Sequence, residues 1–468
     1  MAHQGQRGIS ENRSLSGAAA AASLAALALA LGACGNGIGG GSGGSGTASP
    51  ASVAELRNEI AAEGITAAAT PPTVADELFA LGRALYFDKL LSGNMDVSCA
   101  TCHWPEDGTS DGRALPGGVG GTGLGAARVG GAVVARHSPT VLNSHEFATM
   151  FWDGRVERLA GGGVRTPAGS AVTAAMLAVI DDEWEFLALQ ALFPPTSRDE
   201  MRGAVGENEL ANFADSDFTG IWNGVRDRVI AYPGYSDLLL AAYPGLSSLS
   251  DVTIAHLVNA IAAFETRAYA RTDSPWERFV AGDDGALTQV QVDGALEFFG
   301  PGDCARCHSG AAFTDLRFHN IGLPQIGPGK GNGASGTEDF GRENVTGNSS
   351  HRYRFRTPSL LNITETGPYG HAGQYGSLES IVDHYRDPAA RIFSYDIGRE
   401  VADTALVATL VNNQTAVIAD LDGGLANPRR FDVDDVVAFL GALTADSARE
   451  AELAATIPTS VPSGLAVR

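Results

Sequence analysis

The sequence predicts a mainly α-helical chain that contains two similar domains. Apolar residues recur at helical spacing in several segments on both sides of the chain midpoint. The pentapeptide pattern Cys-x-x-Cys-His occurs twice, at 99–103 and at 304–308. A Ser/Thr-Pro-Ser/Thr-x-Leu-Asn segment follows each pentapeptide, at 138–143 and at 357–362. We therefore expect an internal duplication, in which each half carries one pentapeptide and one proline-containing loop beside it.

Each pentapeptide has the spacing of a covalent heme c attachment site. The two thiols add to the vinyl groups of the porphyrin, and the histidine that follows is the proximal iron ligand. One heme is assigned to Cys99, Cys102 and His103, and a second heme to Cys304, Cys307 and His308. A zinc site is an alternative, but zinc needs four ligands around one ion, and the two pairs lie about 200 residues apart. Redox-active or idle thiols are the remaining alternative. The predicted fold is thus two cytochrome c-like heme domains with long glycine-rich loops.

The composition indicates an acidic protein rich in loops. The chain carries 54 acidic and 32 basic residues, which gives a formal net charge of −22. This charge argues against nucleic acid and anionic membrane surfaces as partners. It would suit a basic electron-transfer partner, but plain solubility is the simpler explanation. The 59 glycines predict extended loops, above all between residues 104 and 136.

The N-terminal residues have the pattern of an export signal that ends at a lipidation site. An apolar run at 17–33 follows basic residues, and it is too short and too alanine-rich for a membrane span. It ends in Leu-Gly-Ala-Cys, which resembles a lipoprotein box. We expect residues 1–34 to be a lipoprotein signal peptide, with Cys34 lipid-anchored to a membrane on the periplasmic side. An ordinary secretory signal with an incidental cysteine is the alternative. Residues 35–70 would form a flexible Gly/Ser-rich tether.

The predicted elements follow in chain order. Helices are expected over Ser52–Ile60, Ala75–Tyr86, Ala174–Leu192, Ile221–Ile230, Tyr235–Ala242, Val252–Ala270, Thr288–Phe299 and Val433–Leu443. A junction near 273–284 divides an N-terminal heme domain at 71–275 from a C-terminal heme domain at 276–450. Residues 451–468 are expected to be a tail.

Two further segments make the pattern specific. The sequence reads F-W-D-G-R at 151–155, and R-T-P-S-L-L-N at 356–362 is followed by G-P-Y-G-H-A-G at 367–373. Together with the two heme motifs, these segments resemble the bacterial dihaem cytochrome c peroxidase family, which includes MauG. In that family the N-terminal heme is peroxidatic and the C-terminal heme transfers electrons. The resemblance implies the same roles for the domains at 71–275 and 276–450.

The resemblance also implies a set of catalytic residues. The family places a glutamine and, ten residues further on, a glutamate over the peroxidatic heme, and Gln190 and Glu200 have this spacing. Glu200 would take a proton from hydrogen peroxide and return it to the leaving oxygen, while Gln190 would orient the peroxide. Trp152 would lie between the hemes as an electron relay. The structural alternatives are a solvated loop carboxylate at Glu200 and a core tryptophan at Trp152.

The chain departs from the family pattern at the first heme. Family members that need reductive activation carry a histidine in the glycine-rich loop, which occupies the peroxidatic iron in the oxidised state. Residues 104–136 contain no histidine. The first iron is therefore expected to keep an open sixth position. His137 and His145 are the alternative ligands, and a structural role is expected for both.

A second departure concerns the sixth ligand of the second heme. Ordinary family peroxidases use a methionine, but the last methionine of this chain is Met201, and none follows Cys304. The resemblance places Tyr385 at this position, and MauG similarly uses a tyrosine. A phenolate would lower the potential of the second heme. His384 and an open site are the alternatives.

The family also holds a calcium ion, through an asparagine side chain and two carbonyls of a Thr-x-Pro element. Thr366 and Pro368 would provide that element here. The asparagine position falls on His137, which is a poor calcium ligand. The resemblance therefore implies one calcium ion, with only part of its ligand set present.

The function implied by the resemblance is reduction of hydrogen peroxide to water, with electrons passed from the C-terminal heme to the N-terminal heme. A small donor protein such as a monohaem cytochrome c or a cupredoxin would supply the electrons. One alternative is a MauG-like oxidase that uses peroxide to oxidise a protein or a small molecule. The other is a dihaem electron carrier or redox sensor without peroxide turnover, against which Glu200 argues.

Overall fold

The structure is a computed structural model, and it describes residues 46–468. The predicted signal peptide at 1–34, the lipid anchor on Cys34 and the first part of the tether at 35–70 lie outside the described residues. None of the helices between 46 and 468 is long and apolar enough to cross a membrane.

Helices account for most of the regular structure in the described chain. They are α1 (Pro50–Ala62), α2 (Asp76–Phe87), α3 (Cys99–Cys102), α4 (Ala174–Leu177), α5 (Glu185–Ala191), α6 (Phe218–Ala231), α7 (Pro233–Ala242), α8 (Ile254–Tyr269), α9 (Pro275–Val280), α10 (Gln289–Phe299), α11 (Glu343–Thr346), α12 (Leu378–His384), α13 (Pro388–Ser394), α14 (Ile397–Glu400), α15 (Gln414–Ile418), α16 (Val433–Ala442) and α17 (Glu450–Ala454). The prediction of a mainly helical fold is confirmed.

The strands are short, and each pairs with the strand that precedes or follows it in chain order. They are β1 (Gly121–Thr122), β2 (Val129–Gly130), β3 (Thr149–Met150), β4 (Val156–Arg158), β5 (Val164–Arg165), β6 (Phe318–His319) and β7 (Phe355–Arg356). All pairs are antiparallel: β1 with β2, β3 with β4 with β5, and β6 with β7. In the β6–β7 pair, which is far apart in sequence, Phe318 lies opposite Arg356.

Most of the predicted helices form close to their predicted bounds, but the one expected over 174–192 is divided. Helix α4 ends at Leu177, and α5 begins only at Glu185. Between them the Asp181 carboxylate accepts a hydrogen bond from the Glu183 amide, and the Asp181 amide donates to the Asn259 side chain. These bonds satisfy the backbone in a turn, so the apolar spacing that predicted one helix is shared by two short ones.

The buried apolar residues form two large clusters, each built on one helix pair. The first cluster contains α2 and α8 and includes Tyr86, Phe87 and Phe264. The second contains α10 and α16 and includes Phe298, Phe299 and Phe439. Each cluster adjoins one of the two pentapeptides. Cys99 packs against the first cluster, and Cys304 packs against the second.

A glycine allows the two helices of each pair to approach closely. A Cβ atom added to Gly82 would lie 1.8 Å from the Ala260 carbonyl oxygen of α8. A Cβ atom added to Gly294 would lie 1.8 Å from the Asp435 carbonyl oxygen of α16. The helix axes can therefore come together only because no side chain stands at these positions.

An asparagine at the end of each proline-containing loop holds the end of the second helix. Asn143 has a φ of 56°. Its backbone amide donates to the Tyr269 carbonyl at the end of α8, and its side-chain oxygen accepts from the backbone amide two residues after Tyr269. Asn362, with a φ of 62°, contacts the Leu443 carbonyl and the Ala445 amide beyond α16 in the same way. Asparagine tolerates this left-handed conformation better than other residues with side chains.

The two ends of the described chain are packed, although a tether and a tail were expected there. Helix α1 lies within the stretch 35–70 and packs on the second cluster through Val53, Leu56 and Ile60. The stretch 451–468 packs on the first cluster through Leu453, Val461 and Val467. The spacing of apolar residues in α1 gives it a buried face, so the tether composition applies only to the glycine- and serine-rich residues before it.

Gly82→Ala should lower the free energy of unfolding by about 1–3 kcal/mol or more, because the added methyl group overpacks against the α8 backbone. Gly441→Ala is the matched control, since a Cβ at this helical position meets nothing within 4 Å. The control should be neutral or stabilising by about 0.5–1 kcal/mol. Denaturant unfolding of the heme-loaded protein measures both, and equal stabilities would contradict the close approach of α2 and α8.

Candidate functional site

Two large cavities gather nearly all of the residues that the sequence singled out. The first cavity encloses about 1560 Å³, part of it open to solvent, and is lined by Cys99, Cys102, His103, Trp152, Gln190 and Glu200 among others. The second encloses about 1600 Å³, also partly open, and is lined by Trp152, Cys304, Cys307, His308, Thr366, Pro368 and Tyr385 among others. Trp152 belongs to both.

The histidine of each pentapeptide is held in the orientation that an iron ligand requires. The Nδ1 atom of His103 lies 3.2 Å from the Thr109 carbonyl oxygen, and that of His308 lies 3.0 Å from the Phe313 carbonyl oxygen. A carbonyl accepts only, so Nδ1 carries the proton and Nε2 keeps its lone pair for a metal. Burial lowers the pKa of both imidazoles to about 4, which keeps them neutral. Both sites therefore fit a proximal heme ligand.

The four cysteines fit covalent attachment better than a shared zinc site. They are unpaired, and the two pairs line different cavities. Burial raises the pKa of the Cys99 and Cys304 thiols to about 12, so neither is a reactive thiolate. Among residues 46–468, the one cluster with metal-ligand spacing is Cys307 with Asp315 and His319. A thioether bond from Cys307 to heme would remove the thiolate that this cluster needs to bind a metal.

Glu200 projects into the first cavity from a single π-helical turn at Arg198–Arg202. The Ser197 carbonyl accepts from both the Met201 and the Arg202 amides, which is the widened hydrogen-bond pattern of such a turn. Burial raises the pKa of Glu200 above that of an ordinary carboxyl group, while nearby Arg155 and Lys330 act in the opposite direction. A carboxyl group with a raised pKa beside an open cavity can both accept and donate a proton.

Trp152 is fixed between the two cavities by residues from both halves of the chain. Its indole Nε1 donates to the His137 carbonyl at 2.9 Å, and its own carbonyl accepts from the Arg356 amide at 2.8 Å. The side chain is buried. This position is compatible with both readings of the sequence, a core tryptophan and an electron relay.

The two histidines considered as alternative ligands of the first iron lie in different surroundings. His137 lines both cavities, but its Nδ1 lies 2.9 Å from the Arg113 carbonyl and its Nε2 lies 3.5 Å from the Ser110 hydroxyl. His145 is absent from the lining of the first cavity within the described chain, and its Nε2 lies 4.0 Å from Glu146. The carbonyl bond at Nδ1 leaves the lone pair of His137 on Nε2, the tautomer that an iron ligand needs, whereas His145 does not line the first cavity.

The two candidates for the sixth ligand of the second heme differ in their hydrogen bonding. His384 is buried, with Nε2 2.7 Å from the Ile321 carbonyl and Nδ1 2.8 Å from the Tyr375 hydroxyl, so both ring nitrogens are occupied. Tyr385 lines the second cavity, and its hydroxyl makes no hydrogen bond within residues 46–468. Burial raises the pKa of Tyr385, so a phenolate there would depend on the charge of a bound ferric iron.

The expected calcium ligands do not form a complete set. Thr366 and Pro368 line the second cavity, and the Thr366 hydroxyl donates to the Ile363 carbonyl. His137 stands at the position where the family has an asparagine, and imidazole nitrogen is not a ligand that calcium prefers. The calcium site stays a prediction.

Four polar residues of the cavities were not predicted from the sequence. Arg155, Glu265 and Lys330 line the first cavity, and Arg356 lines both. Glu265, on α8, is 5% exposed with one carboxyl oxygen unpartnered, and burial raises its pKa to about 8. Lys330 comes from a glycine-rich segment of the second half. Arg155 and Arg356 lie in the segments that carried the resemblance, which was the available signal for them.

Comparison with known proteins agrees with this geometry. Residues 76–285 match the family described as Di-haem cytochrome c peroxidase. The methylamine utilization protein MauG of Methylorubrum extorquens is 33% identical over 309 residues, which cover 66% of this chain and 68% of that protein. Cytochrome c peroxidase Ccp of Escherichia coli K12 is 29% identical over 372 residues, 80% of this chain and 59% of that protein.

Two solved structures share the fold. A MauG-like protein associated with microbial copper homeostasis has a TM-score of 0.56 at 24% identity, over 82% of this chain and 94% of that one. The diheme peroxidase BthA of Burkholderia thailandensis E264 has a TM-score of 0.53 at 19% identity, over 80% and 87%. The chain belongs to the di-haem cytochrome c peroxidase family and is an oxidoreductase. Membership implies two heme c groups, which the two pentapeptides and their free Nε2 atoms fit.

Proposed function

We propose that the protein reduces hydrogen peroxide to water at the first cavity, using electrons that enter through the second heme. The observation that carries this proposal is the presence of Glu200, Gln190 and the His103 imidazole around one cavity. Heme, when bound, supplies the redox-active iron for O–O bond cleavage. The overall reaction consumes two electrons and two protons for each peroxide and yields two waters.

Glu200 has the role of proton carrier in this proposal. As a carboxylate it accepts the proton from the proximal peroxide oxygen, and as an acid it returns that proton to the oxygen that leaves as water. Gln190, on α5, orients the peroxide through its side-chain amide. Arg155 and Lys330 place positive charge along the same cavity and so limit how far burial raises the Glu200 pKa.

Trp152 is the residue we assign to the electron path, because it lines both cavities and is held from both sides. Tyr385 is the proposed sixth ligand of the second heme. His384 is less suited to that role because its two ring nitrogens are already hydrogen-bonded. The small electron donor remains of the class expected from the sequence, a monohaem cytochrome c or a cupredoxin.

We also propose that the two halves arose by internal duplication, with domains at 71–275 and 276–450. Three parallels support this. Gly82 and Gly294 occupy the same place in two helix pairs, each followed after four residues by an aromatic pair. Asn143 and Asn362 hold the ends of the second helices in the same conformation. Both proximal histidines donate from Nδ1 to a carbonyl a few residues later.

A MauG-like oxidase is the second candidate function. The lack of a histidine in the loop at 104–136 favours it, because an iron that is open without prior reduction can react with peroxide directly. Tyr385 in the second cavity favours it as well. In this case the oxidising equivalents would be used on a protein or small-molecule substrate rather than replaced from a donor protein. Both candidates place the protein in the periplasm, where c-type hemes are attached, with Cys34 as the proposed lipid anchor.

Glu200→Gln should lower kcat/KM for hydrogen peroxide by about 100- to 10,000-fold, because the amide cannot accept the proton. Since burial raises the pKa of Glu200, the wild-type rate should rise with pH through an apparent pKa above that of an ordinary carboxyl group. This limb should vanish in the variant. Asp199→Asn, which alters the exposed neighbouring carboxylate, is the control. An unchanged kcat/KM in Glu200→Gln would refute the assignment.

Tyr385→Phe should change the absorption and EPR spectra of the second heme and raise its midpoint potential, because a phenolate ligand stabilises the ferric state. The matched control is Tyr395→Phe, which removes a hydroxyl that donates to the Gln374 carbonyl and lies away from the cavity. Spectroelectrochemical titration of the second heme gives the readout. Identical spectra and potentials in wild type and Tyr385→Phe would leave Tyr385 without a ligand role.

A further inference from the structure

Arg356 is a buried cation on the boundary between the two cavities. It stands at the end of β7, opposite Phe318 of β6, and only 7% of its surface is exposed. It lines both the first and the second cavity, as do Trp152 and His137. The Arg356 side chain therefore lies next to both heme sites.

The hydrogen bonds of the Arg356 guanidinium are few and lack a negative partner. Its Nε donates to the Phe151 carbonyl at 3.2 Å, and its Nη1 donates to the Thr357 carbonyl at 3.3 Å. The ring of Phe147 lies 5.6 Å from Cζ. Within residues 46–468, no carboxylate forms an ion pair with Arg356.

Several other buried arginines have more polar contacts than Arg356, and even Arg128, which has no carboxylate partner in the described chain, makes three hydrogen bonds to backbone carbonyls. Arg136 pairs with Asp153 at 2.6 Å and with Asp339 at 2.7 Å. Arg342 pairs with Glu157 at 2.7 Å through two hydrogen bonds. A buried charge without a partner is strongly unfavourable, so proteins pair it or neutralise it. Burial lowers the pKa of Arg356 only to about 10, so it stays charged at neutral pH.

Because Arg356 lines both cavities, a group that occupies them can supply the anion that it lacks. A heme c has two propionate carboxylates, and a guanidinium forms a two-pronged hydrogen-bonded pair with a carboxylate better than any other side chain does. We propose that the counter-ion of Arg356 is a heme propionate at the boundary between the two cavities. The proposal rests on the two-heme assignment of the family and does not depend on peroxide turnover.

This pairing would make Arg356 a determinant of heme potential. A fixed positive charge beside a heme disfavours the ferric state, because that state carries one more positive charge than the ferrous state. The pairing also keeps the propionate ionised in both redox states. Because Arg356 lines both cavities, its charge can act on either heme.

Arg356→Gln tests the proposal in the heme-loaded protein by spectroelectrochemical titration of both hemes at several pH values. We expect the midpoint potential of at least one heme to shift to more negative values. That potential should also become more pH-dependent between about pH 5 and 8, because an unpaired propionate takes up a proton on reduction. Arg354→Gln is the matched control, since it removes the same charge two residues earlier, where Nε donates to the Ser350 carbonyl outside the cavities.

Arg356→Lys continues the test if the glutamine variant does not retain both hemes. A single ammonium replaces the two-pronged donor, so a smaller negative shift and a weaker pH dependence are expected. Potentials and pH dependence that match those of wild type in whichever variant retains both hemes would overturn the proposal. So would an equal shift in Arg354→Gln. Since no peroxide or electron donor is used, this failure would leave the proposed peroxidase function untouched.

Discussion

Each proximal histidine is held by one hydrogen bond from Nδ1 to a backbone carbonyl, and much of the surrounding structure serves to keep that bond buried. The carbonyl of Thr109 lies six residues after His103, and that of Phe313 lies five residues after His308. Burial makes each imidazole neutral, and the bond leaves Nε2 directed at the cavity. The glycine contact within each helix pair and the asparagine at its end hold together the apolar cluster that adjoins each pentapeptide.

A second set of interactions joins the two halves and fixes Trp152. Arg136 contacts Asp153 from its own half and Asp339 from the other, and this cation and its two anions are almost fully buried. Although burial alone would raise it, the nearby Arg136 holds the pKa of Asp153 well below its usual range. Buried pairs of this kind fix a geometry more than they add stability. Trp152 directly precedes Asp153, and with its own bonds to His137 and Arg356 its indole is fixed where it lines both cavities.

The sequence was sufficient for the parts of the site that depend on short-range spacing. The heme motifs at 99–103 and 304–308 are local patterns, and Gln190 and Glu200 lie ten residues apart in a segment where a family resemblance supplied the spacing. Long-range partners could not be predicted in this way. Lys330 reaches the first cavity from 130 residues beyond Glu200, and the position of Arg356 on both cavities follows only from the folded chain.

Local composition also misled where buried contacts override it. The glycine-rich loop at 104–136 suggested mobility, yet buried Arg128 donates to the carbonyls of Gly117, Gly118 and Gly123 and ties the loop together. The tether expected at 35–70 contains α1 because its apolar face has a place on the second cluster. The loop is ordered by an arginine within it, and α1 by apolar residues from the second half of the chain.

The most direct test of the account is low-temperature EPR of the oxidised, heme-loaded protein before and after one addition of hydrogen peroxide. An open first iron predicts a high-spin ferric signal beside a low-spin signal, with both lost on mixing with peroxide and without prior reduction. Two low-spin signals that do not respond to peroxide would contradict the account, since they would require a sixth ligand on the first iron. Repeating the measurement after one-electron reduction would then distinguish a peroxidase that needs activation from an electron carrier.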